Sequence, residues 1–209
     1  MEQIIVKNYN LPDFDIFENQ DDYSVFIWRP ENTSLVLGQS NHPESSLITQ
    51  NVLQDQIPVY KRPSGGETVI LTKNMMVISV AFRVQSLQNP KIYFDKINQG
   101  IIQALESQGV RGLYQRGISD ISIDHKKILG SSIYRTTEKM FYHAVLNISE
   151  NIDTISKYIA HPSKEPDYRK GRIHKDFVTS LKENGYNILF DILKKSILFH
   201  LNQTLKFIK

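Results

Sequence analysis

The residues of this chain best suited to bind an anion lie in a segment with strand-like alternation, residues 117–135. Here Lys127 precedes the pair Gly130-Ser131 by three residues, and apolar positions alternate on both sides. The alternation predicts a β-hairpin in which Lys126 and Lys127 point to opposite faces of their strand. Because an unpaired buried charge is too costly, an inward-facing Lys127 needs Asp120 on the neighbouring strand, or an anionic ligand, as its partner. The alternative is a surface hairpin with two exposed lysines.

A second segment, Arg62-Pro-Ser-Gly-Gly, is the candidate for the opposite wall of such a site. Its two glycines, Gly65 and Gly66, allow backbone N–H groups to approach a ligand closely and to cradle an anion. Arg62 adds a permanently charged, forked donor. The alternative is a tight turn between two strands, since the segment matches neither the G-x-G-x-x-G pattern nor the phosphate loop G-x-x-x-x-G-K-[ST].

Other kinds of chemistry have less support in the sequence. The chain has no cysteine, which excludes disulfides, thiolate metal sites and a cysteine nucleophile. The G-x-S-x-G pattern of a serine nucleophile is absent, and His143 has no second histidine or carboxylate at metal-ligand spacing. Asp120 and Asp124 are candidates for magnesium only if a phosphate completes the coordination shell.

Two periodicities along the chain predict an α+β fold, with a mixed, largely antiparallel sheet flanked by helices. Strand patterns cover residues 23–28, 33–38, 75–84, 111–115, 120–124, 127–135 and 139–148. Helical patterns cover residues 43–56, 91–108 and 187–209. In the last predicted strand, Phe141 and His143 share one face, while Met140 and Tyr142 share the other. Residues 161–176 are rich in proline, lysine and arginine, and we expect either a solvated loop or a mobile lid over a polyphosphate.

Length and composition fit one domain spanning residues 1–209. The net charge of +3 only slightly favours anionic partners. Nucleic acid is not an expected partner, because the basic residues form one short loop without interleaved stacking aromatics. No apolar run of eighteen residues exists, and the N-terminus lacks the features of a signal peptide, so the sequence predicts a soluble, cytoplasmic protein without membrane contact.

The ordered set of segments resembles the lipoate–protein ligase A family, within the biotin/lipoate protein ligase catalytic-domain superfamily. Arg62-Pro-Ser-Gly-Gly-Glu-Thr-Val resembles the family's Arg-x-Ser-Gly-Gly-Gly-x-Val, and Gly117-Ile-Ser-Asp resembles its Gly-Arg-Asn-Asp. Lys127-Ile-Leu-Gly-Ser-Ser resembles Lys-[Val/Ile]-Ser-Gly-Ser-Ala, and Tyr142-His-Ala-Val-Leu matches His-His-Gly-Thr-Leu. The order and spacing agree over residues 34–181, which is most of the chain.

The resemblance implies an enzyme that activates lipoate or octanoate with MgATP to the acyl-adenylate. It then transfers the acyl group to a lysine of a lipoyl carrier domain, of the 2-oxoacid dehydrogenase E2 or glycine-cleavage H-protein type. Lys127 would be the catalytic residue, neutralising charge on the reacting oxygens. Asp120 would be a magnesium- or phosphate-side residue, and residues 164–180 would form the adenylate-binding loop. The residues that the resemblance places around ATP and the acyl-adenylate are Arg62, Ser64, Gly65, Gly66, Glu67, Thr68, Val69, Ile70, Ser119, Asp120, Lys127, Gly130, Ser131, Arg135 and His143.

The chain departs from the family pattern at several positions around these residues. Glu67 stands in place of the family's third glycine, and Leu71 in place of a histidine. Ser119 replaces an asparagine and Leu129 a serine, and Ala144-Val145 replaces Gly-Thr. The residues after the last matched segment are enough only for a terminal helix, so we expect no C-terminal accessory domain in this chain. Either the activity does without such a domain, or a separate subunit supplies it. Two alternatives follow from the departures: a lipoyl or octanoyl transferase without a cysteine nucleophile, or a non-catalytic relative that binds an acyl group or a carrier domain.

Overall fold

The computed structural model describes residues 3–19, 21–84 and 89–206, which form an α+β domain with two sheets. In chain order the strands are β1 (Val6–Asn8), β2 (Tyr23–Trp28), β3 (Ser34–Leu37), β4 (Val59–Lys61), β5 (Val69–Leu71), β6 (Met75–Arg83), β7 (Leu113–Arg116), β8 (Asp120–Ile123), β9 (Lys126–Arg135) and β10 (Lys139–Asn147). The helices are α1 (Asp15–Glu18), α2 (Pro43–Ser46), α3 (Thr49–Gln54), α4 (Pro90–Ser107), α5 (Ile152–Tyr158), α6 (His174–Phe177) and α7 (Phe190–Leu205). A 3₁₀ turn covers Lys182–Asn184.

The larger sheet has the strand order β2-β6-β10-β9-β8-β7, and all of its pairings are antiparallel. The smaller sheet has the order β1-β4-β3-β5, in which β4 pairs parallel with β1 and β3 while β5 pairs antiparallel with β3. The predicted α+β class with a mixed, largely antiparallel sheet is therefore confirmed, although the strands divide between two sheets.

Three apolar clusters hold these layers together. The largest packs α4 and α7 against one face of the larger sheet, and it includes Tyr142. A second fills the space between the smaller sheet, α3 and α5. The third lies between the two sheets and includes Val36, Leu71, Val77 and Phe141. The alternation predicted for β10 is confirmed, because Phe141 and Tyr142 enter clusters on opposite faces.

Helix α4 begins and ends where its sequence signals indicate. Asn89 caps its first turn by accepting a hydrogen bond from the backbone N–H of Lys91 at 3.0 Å, and Pro90 occupies the first position. Gly109 follows the helix with a φ of +88°, a conformation that glycine adopts without steric cost. The prediction of a helix over residues 91–108 is thus confirmed to within one residue.

The prediction of one continuous helix over residues 43–56 is wrong. The segment divides into α2 and α3 because Leu47 is extended and forms a β-bridge with Ile159. The backbone N–H of Ile48 also bonds to the carbonyl of Tyr158 at 2.9 Å. At Leu47 and Ile48, backbone pairing with a segment distant in sequence thus takes the place of helical hydrogen bonds.

Smaller corrections concern element boundaries. The predicted loop 161–176 contains the first residues of α6, which begins at His174. The predicted helix 187–209 begins later, at Phe190, and its last three residues lie outside the described part of the chain. No helix within the described ranges is long and apolar enough to cross a membrane.

Candidate functional site

Lys127 points inward and pairs with Asp120, as the hairpin pattern predicts. Its Nζ lies 2.9 Å from Oδ1 of Asp120, and its side chain is 29% exposed. Lys126 points the other way and donates from Nζ to the carbonyl oxygen of Lys175 at 3.0 Å. Of the two lysines, Lys127 is therefore the one that enters the candidate site.

A β-bulge in the hairpin places Lys127 above Gly130. Ile121 pairs with Leu129 while Ser122 pairs with Lys127, so β9 carries one extra residue at Ile128. An extra residue changes the parity of the strand, and two positions three residues apart then share a face. A Cβ atom on Gly130 would lie 2.6 Å from Nζ of Lys127, so only glycine leaves the space that the lysine occupies.

The segment between α5 and α6 attaches to this pair through Tyr168. Its hydroxyl donates to Oδ2 of Asp120 at 2.7 Å, so each carboxylate oxygen of Asp120 has a partner. The tyrosine ring lies over Gly117, where a Cβ atom would be 3.5 Å from it. Burial, reinforced by the Asp120 charge, raises the pKa of the Tyr168 hydroxyl, which therefore keeps its proton and remains a donor.

Arg62 organises the opposite wall from within. The Nη2 atom donates to the carbonyl oxygens of Gly65 and Glu67, both at 2.8 Å, and Nη1 donates to that of Val36 at 3.1 Å. Nε donates to Oγ of Ser64 at 3.0 Å. All four acceptors are uncharged, and burial lowers the pKa of the guanidinium to about 10. The buried arginine thus fixes the course of residues 64–67.

Behind this loop lies a buried polar group centred on Ser64. Its Oγ is 2.6 Å from Nε2 of His143 and 3.0 Å from Oγ of Ser132 on β9. Burial, together with the charge of Arg62, holds the pKa of His143 well below its usual value, so the imidazole is neutral. The edge of Tyr9 packs against this ring, and its hydroxyl donates to Asp13 at 2.9 Å. The group links the N-terminal segment to both sheets.

Two cavities meet at Lys127. The larger, of about 460 Å³, has aliphatic walls from Val36, Leu71 and Val77, and it reaches Tyr9 and His143. The smaller, of about 140 Å³, lies under the segment that includes Arg169 and Phe177. The residues that line both cavities are Glu67, Thr68, Val69, Lys127, Gly130 and Val145. Concave, mostly apolar spaces with a few convergent polar groups are the usual form of a ligand site.

Most of the predicted site residues come together around these cavities. Ser119, Asp120, Gly130 and Ser131 line the larger cavity, and Oγ of Ser131 donates to the carbonyl of Ser119 at 2.6 Å. Ile70 lines the smaller cavity. Ser64 and Gly65 lie behind the cavity wall, where both accept hydrogen bonds from Arg62 and Ser64 also contacts His143.

Arg135 is the predicted site residue that stands apart. It lies exposed at the end of β9 and does not line either of the two cavities. Sequence reasoning did not single out five residues that the structure brings to the site: Tyr9, Ser132, Tyr168, Arg169 and Phe177. The last three belong to residues 164–180, which the family resemblance assigned as a whole to the adenylate-binding loop.

Comparison with known proteins identifies the family. The model of the lipoyl protein ligase A/B catalytic domain matches residues 7–202, so the chain belongs to this family. Lipoate-protein ligase A of Psychrobacter cryohalolentis is 28% identical over 152 residues, which cover 70% of this chain and 41% of that protein. Lipoate-protein ligase A of Blochmanniella pennsylvanica is 27% identical over 171 residues, covering 78% and 46% respectively. The matched part therefore spans less than half the length of these relatives.

Solved structures confirm the fold. One is a bi-partite lipoate protein ligase from Thermoplasma acidophilum, described with its E2 lipoyl domain, which has a TM-score of 0.80 at 17% identity and covers 99% of this chain and 84% of that one. Another is a lipoate-protein ligase A bound with ATP, which has a TM-score of 0.78 at 17% identity and covers 97% and 84%.

Proposed function

We propose that this protein is an ATP-dependent lipoate–protein ligase. It activates lipoate, or octanoate, to the acyl-adenylate and transfers the acyl group to a lysine of a lipoyl carrier domain. The observation that carries the proposal is the position of Lys127, which is paired with Asp120 on the wall that the two cavities share. A ligand with an acyl part in one cavity and a nucleotide part in the other brings its reacting group to this lysine.

The properties of the walls favour one arrangement of the two parts. Arg62 uses three hydrogen bonds to hold residues 64–67 and a fourth to Val36 on β3, so it offers no free fork to a phosphate in the larger cavity. The aliphatic walls of that cavity suit an acyl chain. The smaller cavity shares Lys127 and Glu67 with the larger one and adds the guanidinium of Arg169 to a mostly apolar lining, which suits a base and its phosphate. We therefore assign the acyl chain to the larger cavity and the nucleotide to the smaller one, with Arg62 as the support of the wall between them.

The first reaction step then takes place beside Lys127. A carboxylate oxygen of the acyl group attacks the α-phosphorus of ATP, the new P–O bond forms, and the bond to pyrophosphate breaks. The ammonium group of Lys127 offsets the negative charge of the oxygens that approach each other, and its pairing with Asp120 fixes its direction.

In the second step, the amine of the carrier lysine attacks the acyl carbon and loses a proton. The C–O bond to AMP breaks, and AMP departs with the electron pair. Lys127 lies beside the phosphate oxygens and stabilises the charge of the leaving group.

Magnesium fits this site less directly than the sequence predicts. Both oxygens of Asp120 are engaged, one by Lys127 and the other by Tyr168. No group of three or more histidine, aspartate or glutamate side chains suited to a metal occurs in the described ranges. Magnesium usually binds one or two carboxylates together with substrate phosphates. The role of Asp120 as a ligand of nucleotide-bound magnesium stays a prediction, and we assign Asp120 first to the orientation of Lys127.

The remaining parts of the proposal concern partners and location. All residues assigned to the reaction lie in one domain, and a separate accessory subunit stays a prediction. A cytoplasmic location also stays a prediction.

Exchange of labelled pyrophosphate into ATP tests the activation step without an acceptor. The account predicts exchange that depends on lipoate or octanoate and that Lys127→Ala reduces at least a hundredfold, about 2.7 kcal/mol of transition-state stabilisation. Wild-type protein without carboxylate-dependent exchange would contradict the proposed function. Exchange by Lys127→Ala at the wild-type rate would contradict only the role assigned to Lys127 and would leave the proposed function intact.

A further inference from the structure

Arg169 is a buried cation whose Nη2 nitrogen has no partner among the residues that the structure describes. Its side chain is 5% exposed, and its guanidinium lies 4.7 Å from the centroid of the Phe177 ring. The Nε atom donates to the carbonyl oxygen of Arg172 at 2.9 Å and lies 3.4 Å from Oε2 of Glu165. Its Nη2 atom is buried and has no hydrogen-bond partner within the described ranges.

An unused donor on a buried charged group needs an explanation. Buried N–H groups are paired in the great majority of cases, and leaving one unpaired costs more for a charged group than for a neutral one. Arg169 lines the smaller cavity together with Lys127. A partner that this chain does not itself provide therefore belongs in that cavity, and its two cations, Lys127 and Arg169, outweigh the carboxylate of Glu67 on the same lining and favour an anion.

The surrounding segment holds Arg169 at the cavity by contacts that leave Nη2 free. The preceding residue, Tyr168, donates to Asp120 at 2.7 Å and so ties the segment to the partner of Lys127. From the other side, Arg172 donates to the carbonyl oxygens of Tyr168, His125 and Asp176 at 2.9, 3.0 and 3.2 Å. The hydrogen bonds of Arg172 therefore stabilise the conformation of the segment, whereas Nη2 of Arg169 takes no part in it.

We propose that Arg169 is a phosphate-binding residue, whose Nη2 donates to a phosphate oxygen of the nucleotide held between Arg169 and Lys127. This inference rests on the proposed function, because it takes the nucleotide to occupy the smaller cavity. Glu165 approaches Nε at 3.4 Å, and Nη2 remains without a partner within the described ranges. Lysine at this position would keep the charge but lose the fork.

Binding of AMP and of adenosine, measured by calorimetry without magnesium, separates the phosphate contact from the rest of the nucleotide. We expect Arg169→Gln to weaken AMP binding about tenfold, the effect of one charge-assisted hydrogen bond, and to leave adenosine binding within about twofold of the wild type. Arg169→Lys should fall between the wild type and the glutamine variant. Arg172→Gln is the matched control, because it removes bonds that shape the same segment, and it should leave the ratio of AMP to adenosine affinity unchanged.

Two results would overturn the inference while leaving the proposed function intact. One is an unchanged AMP affinity in Arg169→Gln, and the other is an equal loss for AMP and adenosine, which would mark a purely structural role. A wild-type protein that binds neither AMP nor ATP would overturn the proposed function and the inference with it. Should the glutamine variant fail to fold, as judged by circular dichroism, the same comparison with Arg169→Lys decides the question.

Discussion

The ammonium group of Lys127 lies 2.9 Å from Oδ1 of Asp120, and the two meet because the strand that carries the lysine contains one extra residue. Regular pairing would place Lys127 and Gly130 on opposite faces of β9. The bulge brings both to the face of Asp120, which pairs directly with Gly130. A backbone irregularity thus positions the residue on which the proposed chemistry depends, as bulges near active sites commonly do.

The first prediction concerns the space above Gly130. In Gly130→Ala the new Cβ atom would lie 2.6 Å from Nζ of Lys127, and the lysine must move away from Asp120. Because the end of a lysine is flexible, we expect the unfolding free energy to change by less than about 1 kcal/mol. Pyrophosphate exchange should fall about a hundredfold, the usual effect of misplacing a reacting group by an ångström. An active Gly130→Ala protein would show that this position of Lys127 is not needed.

The second prediction concerns Tyr168, which links residues 161–173 to Asp120. Tyr168→Phe removes one hydrogen bond to a carboxylate, which is worth about 1.5 to 3 kcal/mol. Since the neighbouring Arg169 lines the smaller cavity, we expect the KM for ATP to rise about tenfold. The KM for lipoate should change less than about twofold. Initial-rate kinetics with each substrate varied in turn measures both, and a rise confined to lipoate would contradict the assignment of the cavities.

The third prediction is a pH dependence of stability that originates at His143. Its pKa in the folded protein is well below the unfolded value of about 6.5, so the unfolded chain binds more protons as the pH falls below that value. The contribution of His143 to the free energy of unfolding is therefore complete above about pH 6.5. It decreases as the pH falls below that value, by up to about 1.4 kcal/mol per pH unit. Asp13 has a raised pKa and acts in the opposite sense, so the test compares two proteins. Between pH 7 and pH 5, urea unfolding should show a smaller loss for His143→Gln than for the wild type, and parallel curves would contradict the account.

The fourth prediction concerns Glu67, which stands on the wall shared by both cavities. Its Oε2 atom accepts a hydrogen bond from Nδ2 of Asn41 at 3.4 Å, which holds the carboxylate without neutralising it. A nearby negative charge repels a triphosphate. We therefore expect Glu67→Gln, which keeps the shape, to tighten ATP binding several-fold, roughly 1 kcal/mol. Weaker binding that appears only with magnesium present would instead identify Glu67 as a metal ligand.

The sequence predicted the elements whose signals are local. The alternation in β9 and β10 and the helical period of α4 place their residues on the observed faces, because these patterns depend on neighbours a few positions away. The pairing of Lys127 with Asp120 also followed from hairpin geometry and from the cost of an unpaired charge.

Features that depend on distant partners were not predictable in this way. The bulge at Ile128 leaves no mark on the apolar pattern, and the break between α2 and α3 depends on a bridge from Leu47 to Ile159. The strands β1, β4 and β5 have three residues each, too few to show a period. Tyr168 and Arg169 reach the site only because their segment folds back onto β8 and β9.

The most direct test of the central claim is the mass of an acceptor. A purified apo lipoyl domain, incubated with this protein, MgATP and lipoate, should gain the mass of one lipoyl group. The same mixture without ATP, or with Lys127→Ala, should leave the acceptor unchanged. An acceptor that stays unmodified by the wild-type protein, or one that Lys127→Ala modifies at the wild-type rate, would contradict the account.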